Sequence, residues 1–161
     1  MKVREIMTKN VVRIHPDEPV EVAARALAHY NVGAMPVCGS DGRLCGVVTD
    51  RDLVTRCVAS GRNAGQTSVR DVMTGRVVTV GPEMEVSAAA HLMGREQVRR
   101  LPVVENGRLC GMVGLGDLTA TEGGIFDAAD ALQEITSNIC KNLKKVLDKR
   151  KVLWYDVRVV R

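Results

Sequence analysis

The chain has 161 residues and a formal net charge of +4, a length that allows one compact domain or two small ones. Aromatic residues make up only 2%, which argues against a platform of stacked rings for single-stranded nucleic acid. The charge suits an anionic ligand and is too weak to argue for nucleic acid by itself, and no apolar run approaches the length of a membrane span.

Met1-Lys2-Val3 leads directly into a motif that recurs later, so no signal peptide is expected. The β-branched residues 11–14 predict a short strand, closed by Pro16. Apolar residues at 20, 23, 24, 27 and 28 predict a helix over 19–29 with Asp17 as its N-cap. Residues 34–38, a turn at Asp41-Gly42 and residues 44–48 form a hairpin signature, and a second helix is expected over 50–59. The polar, glycine-containing residues 60–68 read as a linker. The same order then returns: a strand over 77–80, Pro82, a helix over 85–95, a hairpin turning at Asn106-Gly107, and a helix from Gly116.

The return is literal. Val3-Arg4-Glu5-Ile6-Met7-Thr8 reappears as Val69-Arg70-Asp71-Val72-Met73-Thr74, and Pro36-Val37 as Pro102-Val103. Gly42-Arg43-Leu44-Cys45-Gly46 reappears as Gly107-Arg108-Leu109-Cys110-Gly111. The shift is 66 positions up to residue 38 and 65 beyond a single deletion near Gly39. A unit of about 60 residues is marginal as an independent core. The two copies are therefore expected to share buried surface about a pseudo-twofold axis, with two related clefts.

Beyond the second copy, apolar residues at 125, 129, 132, 135, 139, 143 and 146/147 predict one apolar stripe on a long helix. Its opposite face collects Lys141, Lys144, Lys145, Lys149 and Lys151. That helix reads either as a packing or pairing element or as a basic output surface for an acidic partner, nucleic acid or anionic lipid. Residues 152–160, which hold Trp154 and Tyr155, read as a short strand or docking tail. The four segments are thus residues 1–60, the linker 61–68, residues 69–121 and the extension 122–161.

The sharpest chemical string is Gly46-Val47-Val48-Thr49-Asp50-Arg51-Asp52. Glycine at a strand end lets another backbone or a ligand approach. Thr49 then offers a hydroxyl, and Asp52 in the next helical turn offers a carboxylate able to accept two ribose hydroxyls. A strand, a turn and a capped helix would give the same string with no ligand at all. Cys38, Cys45, Cys57, Cys110 and Cys140 contain no Cys-x-x-Cys pair, and read as small buried hydrophobes in a reducing cytoplasm. His15, His29 and His91 lack metal-ligand spacing. No Ser-His-Asp, Cys-His or paired-carboxylate arrangement argues for catalysis.

With the repeat, Met7-Thr8, Pro36, Pro102 and this motif together, residues 1–121 resemble a tandem pair of cystathionine-β-synthase (CBS) domains, a Bateman module. The resemblance implies an α+β (α/β) fold of two pseudo-symmetric β-α-β-β-α copies packed sheet to sheet, followed here by the long helix. It implies a non-catalytic regulatory module that binds AMP, ADP or ATP, with S-adenosylmethionine less favoured. It also implies a homodimer that acts on an unidentified regulated protein. The main cleft would use Thr49, Arg51 and Asp52 with Thr74, Val78, Val98, Arg99, Arg100 and Pro102. Asp52 would hold the ribose, Thr49 would lie near the α-phosphate, and the backbone near Val78, Val98 and Arg100 would read the adenine edge. The weaker cleft would use Gly114 and Asp117 with Thr8, Val12, Val32, Ala34 and Pro36. There Gly114 replaces threonine and Gly116 replaces Arg51, so a hydroxyl and a cation are lost. The alternative is a nucleic-acid- or protein-binding scaffold with vestigial clefts that works through the lysine-rich helix.

Overall fold

The structure, a computed structural model, describes residues 1–121 and 123–148, with side chains to residue 137. The first copy runs through helix α1 (Val3–Ile6), helix α2 (Val20–His29) and strands β1 (Ala34–Cys38) and β2 (Leu44–Thr49). It ends in a single helical turn α3 (Asp50–Asp52) that continues as a π-helical segment, Leu53–Val58. The second copy repeats this with α4 (Val69–Val72), α5 (Val86–Glu96), β3 (Arg100–Glu105), β4 (Arg108–Gly114) and α6 (Leu115–Leu118). Helix α7 (Gly124–Asp148) follows. Among the described residues no helix is long and apolar enough to cross a membrane.

Each copy contributes one antiparallel hairpin, β1–β2 and β3–β4. The turn residues do what their identities allow: Gly42, Asn106 and Gly107 all sit at positive φ, where the absence of a side chain or a short amide is tolerated. The two hairpin tips meet through an Arg43–Arg108 bridge.

Residues 11–14 and 77–80 are not the full strands their composition suggested. Each supplies one parallel bridge, Ile14 to Val37 and Val80 to Val103. Ile14 donates to the Pro36 carbonyl and accepts from Cys38, and Val80 does the same with Pro102 and Val104. The next rung would need N–H groups that Pro36 and Pro102 do not possess. The ladder stops there, and the backbone of Val12 and Val78 is released from it.

Two hydrophobic cores result, and they exchange parts. Val3 and Ile6 of α1 pack in the core of the second copy with Val86, Met93 and Leu101. Val69 and Val72 of α4 pack in the core of the first, with Val20, Met35 and Val48. The chain after each opening helix then crosses back: Thr74 bonds both ways with Val47 of β2, and Thr8 both ways with Met112 of β4. Gly46 and Gly111 make those crossings possible. A Cβ on Gly46 would lie 2.7 Å from the Thr74 carbonyl oxygen, and one on Gly111 2.9 Å from that of Thr8. The glycine before the Thr49 motif thus admits the other copy's backbone.

The N-terminus of α2 also departs from expectation. Pro19 occupies the N-cap position, and Asp17 is engaged by Arg70 of α4 at 2.7 Å. The open amides of Val20 and Glu21 are taken by the carbonyls of Thr67 and Ala64, so the linker caps a helix. The equivalent of the Asp17–Arg70 pair is Glu83 with Arg4, also 2.7 Å.

Helix α7 lies chiefly on α5. It buries Ala128, Ala131 and Ile135 and leaves Ile125 62%, Phe126 77% and Leu132 46% exposed. Of the expected stripe, Ile135 is buried, while residues 125, 129 and 132 face outward. The cause is the close approach of the two helices at Gly94, where an added Cβ would be 3.3 Å from the Ala131 Cα. Only the alanine face fits so near. The side chains at 139, 143, 146 and 147, all five lysines named above and the tail 152–160 lie outside the described side chains or residues. Cys38 and Cys57 are buried, while Cys45 and Cys110 are only half-buried; all four are free thiols.

Candidate functional site

At the end of β2, Thr49 adopts an extended N-cap conformation and Asp52 closes the first turn back onto it. The Thr49 N–H donates to Asp52 Oδ2 at 2.9 Å and its hydroxyl donates to the same oxygen at 2.7 Å. The Asp52 N–H donates in turn to the threonine hydroxyl oxygen at 3.1 Å. This reciprocal box holds the carboxylate rigidly although Asp52 is only 8% exposed. Oδ1 is left with one ionic contact, Arg56 Nη1 at 3.4 Å. Arg56 is itself fixed by donating to the Val72 carbonyl at 2.7 Å and to the Thr74 hydroxyl at 3.2 Å. The proton of Thr49 is thus committed to Asp52, and Oδ1 carries the open acceptor capacity.

This carboxylate lines a cavity of about 430 Å³ between the copies, within the size range of small-molecule sites. All the residues expected in the main cleft line it: Thr49, Arg51, Asp52, Thr74, Val78, Val98, Arg99, Arg100 and Pro102. Asp50, Arg76 and Glu96 line it as well and were not anticipated. Arg76 was visible as the difference between Thr74-Gly75-Arg76 and its counterpart Thr8-Lys9-Asn10. Across the cavity, neither the N–H nor the carbonyl of Val78 has a hydrogen-bond partner among the described residues. The missing N–H at Pro102 leaves the carbonyl without its ladder donor.

The second cavity, about 620 Å³, is lined by Thr8, Val32, Ala34, Gly114 and Asp117 as expected. Val12 and Pro36 do not reach it. Pro36 is fully buried, and Val11 lines the cavity in place of Val12. Asp117 Oδ2 accepts the Gly114 N–H at 2.7 Å, repeating the Asp52 geometry without a hydroxyl. Arg99 and Arg100 line this cavity too. Among the described residues no group of three or more histidine, cysteine, aspartate or glutamate side chains is arranged to hold a metal ion.

Two copies of one unit, exchanged opening helices and a carboxylate box at each interface define a tandem ligand-binding module. The CBS domain family profile matches residues 3–59 and 69–122, and the chain belongs to the CBS domain family. It is 40% identical over 134 residues to the CBS domain-containing protein YhcV of Bacillus subtilis, covering 83% of this chain and 94% of that one. It is 31% identical over 115 residues to hypoxic response protein 1 of Mycobacterium tuberculosis, covering 71% and 80%. Among solved structures, Hypoxic Response Protein I with two coordinated zinc ions superposes with a TM-score of 0.70 at 30% identity, over 76% of this chain and 99% of that one. CBSX2 in complex with AMP gives 0.66 at 29% identity, over 74% and 93%.

Proposed function

We propose that the protein is a regulatory sensor of an adenine nucleotide, AMP, ADP or ATP, bound in the cleft at Asp52. The observation that carries this is the pairing, across one cavity, of the buried Asp52 carboxylate with the unpartnered backbone of Val78. A carboxylate oxygen with open lone pairs accepts the two hydroxyls of a ribose. An N–H and a carbonyl on one residue match the adjacent acceptor and donor on the adenine edge. Arg51, Arg76, Arg99 and Arg100 line the same cavity and supply cations for phosphate, which guanidinium groups bind through paired hydrogen bonds. Thr49 acts by holding Asp52. The AMP bound to CBSX2 supports the nucleotide reading. S-adenosylmethionine, present with 5′-methylthioadenosine on the domain pair of MJ0100 at 25% identity, shares the adenosine and lacks the phosphate that these arginines suit.

In this reading the ligand stabilises one arrangement of the copies and so changes a regulated protein's affinity for the module; it does so only by its differential affinity for the two arrangements. A second copy is the first candidate for contact. Val54 and Val58 on the π-helical segment are 59% and 68% exposed, adjacent to the helix that carries Asp52. Four free thiols suit a reducing compartment such as the cytoplasm.

Thermal melting with AMP, ADP, ATP and S-adenosylmethionine tests the proposal. A ligand at about 100 times its Kd raises stability by roughly 2.7 kcal/mol, a shift of several degrees. The phosphate-bearing ligands should give the larger shifts, and Asp52→Ala should reduce them. No shift with any of the four at millimolar concentration overturns the reading.

A further inference from the structure

The two cavities are not separate. Gly33, Ala34, Arg99, Arg100 and Met112 line both, which places residues 33–34 and 99–100 on the wall between them. These are equivalent positions of the repeat, 66 residues apart. One copy brings Gly-Ala to that wall and the other brings Arg-Arg. The small pair makes room for the large one: a Cβ on Gly33 would lie 3.9 Å from Arg100 Nη1. On the opposite side, a Cβ on Gly114 would lie 3.3 Å from Arg100 Cγ and 3.4 Å from the Arg99 carbonyl oxygen. The Arg100 side chain therefore runs from Gly114 of one copy toward Gly33 of the other. Gly114, which cost the second cleft a hydroxyl, is the position that admits this arginine. Both residues are exposed, and neither makes an ion pair among the described residues.

We infer that Arg99 and Arg100 form one cation pair shared by two ligand clefts, so that a phosphate-bearing ligand in one cleft weakens the binding of a second in the other. This coupling rests on the nucleotide reading above and adds a sign to it. A phosphate drawn to the wall neutralises the pair and leaves a like charge facing the next phosphate. A ligand without phosphate leaves the pair untouched. The second cleft, which lacks its own Arg51 counterpart, depends on the shared pair more than the first does. The module then answers phosphate-bearing ligand over a wider concentration range than two independent sites would.

The test is isothermal titration calorimetry on the full chain with AMP and with adenosine. Asp52→Asn and Asp117→Asn each cripple one cleft while keeping an acceptor oxygen for the Thr49 or Gly114 N–H, and melting curves check that both fold. Comparing the single-cleft affinities with the stepwise affinities of the unmodified chain gives a coupling factor. For AMP the product of the two association constants should fall on the order of tenfold below the product of the single-cleft values, within the usual range of site-to-site coupling. For adenosine it should match within about twofold. The double variant Arg99→Ala/Arg100→Ala should bring the AMP factor down to the adenosine value. An AMP factor equal to that of adenosine, or one that survives in the double variant, overturns the inference and leaves the nucleotide reading standing. Failure of both AMP and adenosine to bind the unmodified chain overturns both.

Discussion

At the end of β2, Asp52 receives an N–H and a hydroxyl from Thr49; at the end of β4, Asp117 receives, among the described residues, only the N–H of Gly114. Deeper in the first cleft the wall includes Val78 and Pro102, whereas Val12 and Pro36 are withdrawn from the second. The features that define the fold are nonetheless the same in both halves: the crossing glycines, the exchanged helices and the cross-copy ion pairs. The difference teaches that this scaffold is held by main-chain geometry and small residues. The cleft side chains are free to diverge without unfolding it.

The crossing glycines offer the largest effect. Gly46→Leu and Gly111→Leu each drive a side chain into a backbone carbonyl of the other copy. Each should cost about 3 kcal/mol in urea unfolding, at the upper end of overpacking penalties. Unequal losses would break the claim of an equivalent scaffold. Next, Asp52→Ala should weaken AMP binding by at least about tenfold, the worth of a hydrogen bond to a charged group, and Asp117→Ala should weaken the total signal less. The reverse ranking would make the second cleft the principal site. Val58→Glu, placed on an exposed apolar residue of the first copy, should shift a dimer toward monomer in light scattering; an unchanged mass removes this surface from the interface. Thr49→Gly converts the first box into the second, and should lower stability by about 1 kcal/mol through the lost hydroxyl bond.

The smallest effect concerns pH. The Arg70 hydrogen bond to Asp17 lowers its carboxyl below the ordinary 3.8. The folded chain therefore releases that proton more readily than the unfolded chain does. The stabilisation is complete above the unfolded carboxylate range and fades as pH falls through the lowered folded value. The melting difference between the unmodified chain and Asp17→Asn should be present at about pH 7 and vanish toward about pH 2. A difference that persists in acid would assign Asp17 a role independent of its charge.

The repeat, the hairpins and the main cleft were legible because they rest on local signals: turn residues at fixed offsets, and a threonine-to-aspartate spacing that one helical turn closes. Four features were not. Residues 11–14 have strand composition, yet pairing is limited by a proline on the partner strand, which the segment itself does not record. Asp17 has capping chemistry, but Arg70 of the other copy takes its side chain and linker carbonyls take the helix amides. In α7 the larger apolar residues suggested one face, and the tight crossing at Gly94 selected the alanine face beside it. Arg56, which ties Asp52 to the opening helix of the second copy, carries no sequence signal beyond its i+4 spacing. In each case the deciding partner lies far along the chain.

The exchange of opening helices has a consequence for synthesis of the chain. As it emerges from the ribosome, the first copy's β1 and β2 appear before α4, whose Val69 and Val72 complete their core. Helix α1 emerges before them, with its core still unmade. Neither half can close until part of the other has been translated. Helix α1 must wait for burial until β3 and β4 have followed it out.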